Sequence, residues 1–185
     1  MEWVIPAVAV LLLAWCLVTY NRLVALRRVA TQAWADIEVE LRRRHDLVPN
    51  LVETVKGHVA DESKLLDAVI RARNQATLAQ SPETIGKAEA ALTSTIRRVV
   101  KLAKVYPTLK ADAGFQQLKS RLSELEDWLD DARRFFNNSV QENNTSLGQL
   151  PAVLLADACG FKIMEFFALE NSEREAAEVA PKVRR

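Results

Sequence analysis

The sequence predicts an all-α protein, in which an N-terminal transmembrane helix precedes an elongated antiparallel four-helix bundle. Three observations predict this fold: an uncharged apolar run at the start, apolar spacings of three and four residues nearly everywhere after it, and no stretch that alternates β-branched with polar residues. The 185 residues suffice for one domain and a short appendage. We divide the chain into an anchor (residues 1–20), a helical bundle (residues 21–170) and a tail (residues 171–185) that lacks an apolar face and is predicted to be disordered.

The anchor is the segment WVIPAVAVLLLAWCLVTY, which runs from Trp3 to Tyr20 without a charged residue. At about 1.5 Å per residue it just crosses a hydrocarbon core of roughly 30 Å. Amphipathic aromatic residues at both ends suit the two membrane interfaces. A cleaved signal peptide is the alternative, but it needs a basic segment before the apolar run, and only Glu2 stands there. We therefore predict an uncleaved anchor in the lipid bilayer.

The residues that flank the anchor predict its orientation. Arg22, Arg27 and Arg28 follow it, whereas no lysine or arginine precedes it. Basic residues are enriched on the cytoplasmic side of membrane spans. We therefore expect a single-pass protein whose N-terminus lies outside and whose C-terminal domain lies in the cytoplasm.

Apolar residues at helical spacing predict the first two bundle helices. The buried line of the first helix comprises Trp34, Ile37, Leu41, His45, Val48, Val52, Val55 and Val59. The second helix is predicted from about Asp61 to Ala79. Ser81 and Pro82 then supply a start signal for the third helix, with Ser81 as N-cap and Pro82 at its first position.

The third helix is predicted to end at Pro107, and the fourth carries the most regular pattern of the chain. Its seam comprises Phe115, Leu118, Leu122, Leu125, Leu129, Ala132 and Phe136. Beyond Phe136 the same line meets Ser139 and Asn143, so the end of the seam is either polar or shifted onto Val140 and Leu147. Short connections between the helices favour an up-down-up-down arrangement.

This arrangement returns the fourth helix toward the membrane and brings residues 150–170 near it. The candidate membrane-proximal residues there are Phe161, Ile163, Met164, Phe166 and Phe167. They could contact lipid headgroups or a second subunit. The alternative, which we favour, is a short helix that caps the open end of the bundle.

Composition and motifs exclude most kinds of catalytic site. The formal net charge of +1 provides no overall field to attract nucleic acid. Cys16 and Cys159 are isolated, and His45 and His58 lie on different faces of one predicted helix, so neither pair predicts a metal site. No nucleophile elbow, phosphate-binding loop or zinc-protease motif is present. We predict no catalytic residue, no cofactor, no metal and no nucleic-acid partner.

The stretch LRRRHDLVPNLVETVKG places polar residues and a proline inside the first bundle helix. The candidate interaction surface is Arg43, Asp46, Pro49, Asn50, Glu53 and Gly57, and all of these except Pro49 lie roughly opposite the predicted buried line. Pro49 removes the hydrogen bond to the carbonyl of His45, so we expect it to kink the helix and to leave that oxygen free for another donor. Such a kink could turn Asn50 inward. The stretch is therefore either a recognition surface for a partner or a polar lock that specifies the bundle.

Several stretches, in order, resemble the LemA family. They are YNRLVALR (20–27), AWADIEVELRRRHDLVPNLVETVKGHVADE (33–62), VIRARN (69–74), YPTLKA (106–111), ARRFFNNSV (132–140), LP (150–151) and GF (160–161). Phe136 and Asn143 stand where the family has tyrosine, Lys104 where it has glutamate and Asp61 where it has histidine. The resemblance implies a bacterial inner-membrane protein with one N-terminal span, a cytoplasmic helical bundle and no established enzymatic activity.

The single span, the missing catalytic motifs and the regular seam of the fourth helix together predict a non-enzymatic scaffold or adaptor that self-associates or recruits protein partners. The resemblance also implies two kinds of setting, since one relative takes part in forming magnetosome membranes and some members associate with a membrane metalloprotease. The alternative function is therefore regulation of a membrane metalloprotease or of an envelope-stress system. Unchanged turnover of the protease's substrates after gene deletion would argue against that alternative.

Overall fold

The computed structural model describes residues 3–156 and 158–167. Its first element, α1 (Val4–Lys56), is a single 53-residue helix of about 80 Å. The predicted anchor and the first bundle helix are therefore one continuous element. In its most apolar 18-residue window no residue is buried by the rest of the protein. The all-α fold class is confirmed, since the described part of the chain contains helices and no strand.

A pair of helices follows α1 and packs against its far half. A short 3-10 helix (Ala60–Glu62) leads into α2 (Ser63–Leu78), and α3 (Pro82–Leu102) comes next. Ser81 caps α3 as predicted: its Oγ accepts a hydrogen bond from the backbone N–H of Thr84 at 3.3 Å, and its own N–H donates to Thr84 Oγ1 at 3.0 Å.

The second half of the chain contains α4 (Pro107–Ala111), α5 (Ala113–Leu147) and α6 (Ala152–Ala156). Asp112 begins α5, because its Oδ1 accepts a hydrogen bond from the backbone N–H of Phe115 at 2.6 Å. The other carboxylate oxygen of Asp112 lies 3.5 Å from Nε2 of His58. The start of α5 is thereby tied to the end of α1.

Three apolar clusters lie along α1, and they give the directions of the other helices. The distal cluster, farthest from the anchor, includes Val55, Val69, Val99 and Phe115. The middle cluster includes Ala30, Ile37, Leu41, Phe136, Val140 and Phe167, and the proximal cluster consists of Leu23, Leu147, Ala152 and Ala156. α5 therefore runs antiparallel to α1 and ends beside the anchor. α3 runs away from the anchor, since Ile85 packs on the middle cluster and Val99 belongs to the distal one.

The buried line of α1 is wider than the sequence predicts. Ile37, Leu41, Val48 and Val55 are buried as expected. Trp34, His45 and Val52 are only partly buried, whereas the residues just before them, Ala33, Arg44 and Leu51, are buried. The reason is that α1 packs against α5 and α2 at once, so its buried arc spans both contacts.

The seam of α5 becomes polar and also shifts at its anchor end. Val140 and Leu147 are buried, as one alternative predicts, and so are Ser139 and Asn143, as the other predicts. Asn137 and Ser146 are buried there as well. This part of the core is therefore lined by apolar and polar side chains together.

Candidate functional site

Five residues of the candidate interaction surface form an exposed face in the middle of α1. We call this face, which consists of Arg43, Asp46, Asn50, Glu53 and Gly57, the outward face. Steps of three and four residues place them on one side of the helix. Arg43 pairs with Glu40 at 2.7 Å, so its nearest acidic partner lies toward the anchor and is not Asp46. Partner binding at this face stays a prediction.

Pro49, the sixth residue of the candidate surface, is half-buried and lies within α1 without ending it. Because its ring nitrogen carries no hydrogen, the carbonyl of His45 loses its donor within the helix. The Nε–H of Arg73 on α2 donates to that carbonyl at 3.4 Å. A side chain of α2 thus replaces the hydrogen-bond donor that the proline lacks. This hydrogen bond joins α2 to α1.

Behind the outward face, a buried polar cluster joins α1 to α3. We call this group, Arg44, His45, Glu89 and Thr93, the inward cluster. Arg44 Nη1 donates to Glu89 Oε2 at 3.0 Å and Arg44 Nη2 donates to Thr93 Oγ1 at 2.5 Å. His45 Nε2 lies 2.5 Å from the other oxygen of the same carboxylate, Glu89 Oε1. Both carboxylate oxygens of Glu89 are therefore engaged by α1.

Burial makes the inward cluster a structural lock. The side chains of Arg44 and Glu89 are only 5% and 6% exposed. Two buried charges stabilise each other only while both are present, because removal of one leaves the other desolvated and unpaired. His45 is also held in this contact and faces α3. The inward side of this stretch thus binds α3, and the outward side is exposed. The choice between recognition surface and lock for the outward residues stays a prediction.

Sequence reasoning did not identify Glu89, although a signal for it exists. The buried line of α3 runs through Ile85, Glu89, Leu92, Ile96 and Val99 in alternating steps of four and three. A glutamate on such a line has apolar neighbours one turn before and after it. Because a buried carboxylate needs a cation or several donors, this position predicts a cationic partner on a facing helix.

Two asparagines of α5 hold an extended segment of the chain by its backbone. We call Asn137 and Asn144 the asparagine clamp. Asn144 Nδ2 donates to the carbonyl of Met164 at 2.9 Å and Asn144 Oδ1 accepts from the N–H of Met164 at 2.9 Å. Asn137 Nδ2 donates to the carbonyl of Phe167 at 3.3 Å and Asn137 Oδ1 accepts from the N–H of Phe167 at 3.0 Å.

The spacing of the clamp matches the geometry of the segment. Seven helical residues separate the two asparagines and rise by about 10.5 Å. Three extended residues, from Met164 to Phe167, span about 10 Å. Each amide side chain therefore meets one backbone pair of N–H and C=O groups, and residues 161–167 follow α5 in an extended conformation.

The candidate membrane-proximal residues occupy different environments in this segment. Phe161 is half-buried with its ring 5.7 Å from that of Tyr20 at the end of the apolar run. Ile163 is exposed, Met164 and Phe166 are half-buried, and Phe167 is buried with its ring 6.0 Å from that of Trp34. The favoured capping helix corresponds to α6, which packs on Leu23, but the chain after it is extended. Lipid contact by these residues stays a prediction, and residues 168–185 lie outside the described part.

Gly160 turns the chain from α6 into the extended segment. Its φ of +72° lies in the left-handed region, which favours glycine. The N–H of Phe161 donates to the carbonyl of Ala156 at 2.9 Å across this turn. The chain thereby leaves the proximal cluster and runs back along α1, away from the anchor.

The described residues, 3–156 and 158–167, contain no group of three or more His, Cys, Asp or Glu side chains that could hold a metal ion. The histidine–carboxylate contacts found there, His45 with Glu89 and His58 with Asp112, each join two segments of the fold.

Comparison with known proteins decides the family. The sequence model of the LemA family matches residues 33–181, which is most of the chain. The chain belongs to the LemA family. The stretches that carry the family resemblance also contact one another: Arg73 of VIRARN reaches the His45 carbonyl, and Asn137 of ARRFFNNSV holds the segment that begins at Gly160 and Phe161.

Similar proteins include three that are named magnetosome proteins. The Magnetosome protein MamQ of Magnetospirillum gryphiswaldense is 23% identical over 177 residues, which cover 82% of this LemA-family chain and 65% of that protein. Magnetosome proteins MamQ 1 and MamQ 2 of Paramagnetospirillum magneticum are each 22% identical over 181 residues, or 84% of this chain. The chain thus spans slightly less than two thirds of these relatives. Together with the exposed apolar part of α1, the comparison supports a membrane protein.

Proposed function

We propose that this LemA-family protein is a non-enzymatic scaffold or adaptor, anchored in the bacterial inner membrane, that self-associates or recruits protein partners at the cytoplasmic face. The observation that carries the proposal is the build of α1. One helix contains both the exposed apolar segment and, about 45 Å beyond residue 20, the outward face around Asn50. The helix therefore holds a polar surface at a fixed height above the bilayer.

The inward cluster supports this proposal because it supplies polar contacts between α1 and α3 without using residues of the outward face. Arg44 and His45 are bound to Glu89, and the His45 carbonyl is bound to Arg73. Exposed polar residues on a rigid element suit recognition, since little conformational entropy is lost when a partner binds. The similarity to magnetosome proteins favours membrane organisation or biogenesis as the setting.

The proposed orientation has its own test, because Cys159 is exposed and lies beside the cytoplasmic end of the proposed anchor. In a Cys16→Ser variant, a membrane-impermeant maleimide added to spheroplasts should leave Cys159 unlabelled until the membrane is opened. Labelling before the membrane is opened would place the bundle outside and overturn the orientation.

The scaffold proposal predicts a lasting complex. We expect the full-length protein, purified from its own membranes in mild detergent, to have a mass above that of a monomer by light scattering or to retain a specific protein partner. Crosslinking in cells should trap the same species. A monomer that carries no partner in either experiment would contradict the proposal.

A further inference from the structure

A cationic groove lies between α3 and α5, with α1 as its floor. It has a volume of about 590 Å³. Its acidic lining residues are Glu89, Glu126 and Asp130, and its cationic ones are Arg44, Lys87, Arg97, Arg98, Lys101 and Arg133. The groove therefore has three more cationic than acidic side chains, although the net charge of the whole chain is only +1. Such a local excess attracts anions.

Two donors in this groove have no partner. The buried Nε–H groups of Arg44 and Arg133 make no hydrogen bond within the described chain. Arg44 as a whole is only 4% exposed, so its Nε–H is removed from water. An unsatisfied buried donor on a charged group costs free energy. Because both Nε atoms are closed to solvent, a carboxylate that docks from outside would pair with exposed cations of the groove such as Arg98 and Lys101. The charge of the groove thus fits carboxylates.

The chain itself leads into this groove. Phe161 lies beside Tyr20, Met164 is held by Asn144, and Phe167 lines the groove together with Gly86 at the beginning of α3. The segment therefore runs away from the anchor and reaches the end of the groove nearest the anchor. α3 continues in the same direction from there toward Lys101.

The next residues are acidic and long enough to follow the groove. The sequence from 168 to 178 is ALENSEREAAE, with Glu170, Glu173, Glu175 and Glu178 and one arginine. At about 3.3 Å per extended residue, Glu170 can lie about 10 Å beyond Phe167, and Glu175 about 26 Å. The same distances along α3, at about 1.5 Å per residue from Gly86, reach Thr93 and then the end of the helix, just beyond Lys101. The glutamates can therefore be placed beside the cations.

We propose that the groove between α3 and α5 binds the glutamate side chains of residues 170–178 of the same chain. The bond is electrostatic, so it does not require the apolar face that this segment lacks. Charge-assisted hydrogen bonds from guanidinium groups to the carboxylates hold it. The groove is thereby an acidic-peptide site that the chain itself occupies. This proposal does not rest on the scaffold function.

A disulfide between the groove and this segment tests the proposal. In full-length protein with Cys16→Ser and Cys159→Ser, we introduce Lys101→Cys with Glu175→Cys. The matched control pairs Glu175→Cys with Arg121→Cys, an exposed position on α5 at a similar height that does not line the groove. Under mild oxidation we expect the groove pair to form an intramolecular disulfide at least about fivefold faster than the control, because docking raises the effective concentration of the two thiols.

Further variants separate docking from folding. Replacing Glu170, Glu173 and Glu178 with glutamine in the groove pair should lower the rate to that of the control, and high salt should do the same by screening. Arg98→Glu should also slow the reaction, and Glu173→Arg added to it should restore the rate. Equal rates for groove and control pairs would overturn the proposal. A disulfide that forms only between two copies would overturn the assignment to the same chain.

Discussion

The two sides of α1 near Pro49 differ in what their polar residues contact. On the inward side, Arg44 and His45 bind a buried carboxylate of α3. On the outward side, Asp46 and Asn50 are exposed. Residues adjacent in sequence therefore lie in different environments, because a helix turns by about 100° per residue. The polar middle of this helix thus combines a buried polar contact with an accessible surface.

The largest effect is expected from the inward side. Glu89→Gln should lower the free energy of unfolding by about 3 kcal/mol, because Arg44 would keep its buried charge without a counter-charge. Urea unfolding of the full-length protein in mild detergent, followed by circular dichroism, measures this. Glu142→Gln, at an exposed position of α5, is the control and should change it by less than about 0.5 kcal/mol. A similar small effect for both variants would mean that the inward cluster is no lock.

The asparagine clamp extends the comparison to α5. Asn137→Ala should cost about 2 kcal/mol, since it leaves the backbone N–H and carbonyl of the buried Phe167 without partners. Hydrogen exchange should show lost protection at the amides of Met164 and Phe167. Asn138→Ala, which changes the exposed neighbour, is the matched control. Unchanged protection in the Asn137 variant would show that the clamp does not hold the segment.

Pro49 and Arg73 should be energetically coupled, and substitutions there should change the free energy of unfolding by less than those at Glu89 and Asn137. Arg73→Gln should cost about 1 kcal/mol because the His45 carbonyl loses its donor. In a Pro49→Ala background the new N–H of residue 49 can donate to that carbonyl, so the same substitution should cost much less. A double-mutant cycle of unfolding free energies measures the difference. Additive effects would rule out this link between the two helices.

The sequence predicts the helices well because their signals are local. Ser81 and Pro82 start α3, and alternating steps of three and four residues define α5. The all-α class and the long apolar helix follow from such patterns. The continuity of α1 through residue 20 was not evident, because the change from apolar to charged residues marks a change of environment and not an end of the helix.

The contacts of the candidate site were less predictable because they depend on several helices at once. Pro49 indicates that the His45 carbonyl needs a donor, but Arg73 lies 28 residues away in sequence. Arg44 is one position off the predicted buried line, and its partners Glu89 and Thr93 lie on α3, far from it in sequence. The clamp was missed for a related reason: Asn137 and Asn144 bind backbone groups, which have no sequence signature.

We propose that the outward face of α1 serves binding and not folding. The most direct measurement compares wild-type protein with an Asp46→Ala, Asn50→Ala variant in two readouts, the free energy of unfolding and partner capture from native membranes. We predict that the free energy changes by less than about 0.5 kcal/mol, as for other exposed positions, while capture is abolished. A large loss of stability, or full capture at unchanged stability, would contradict the claim.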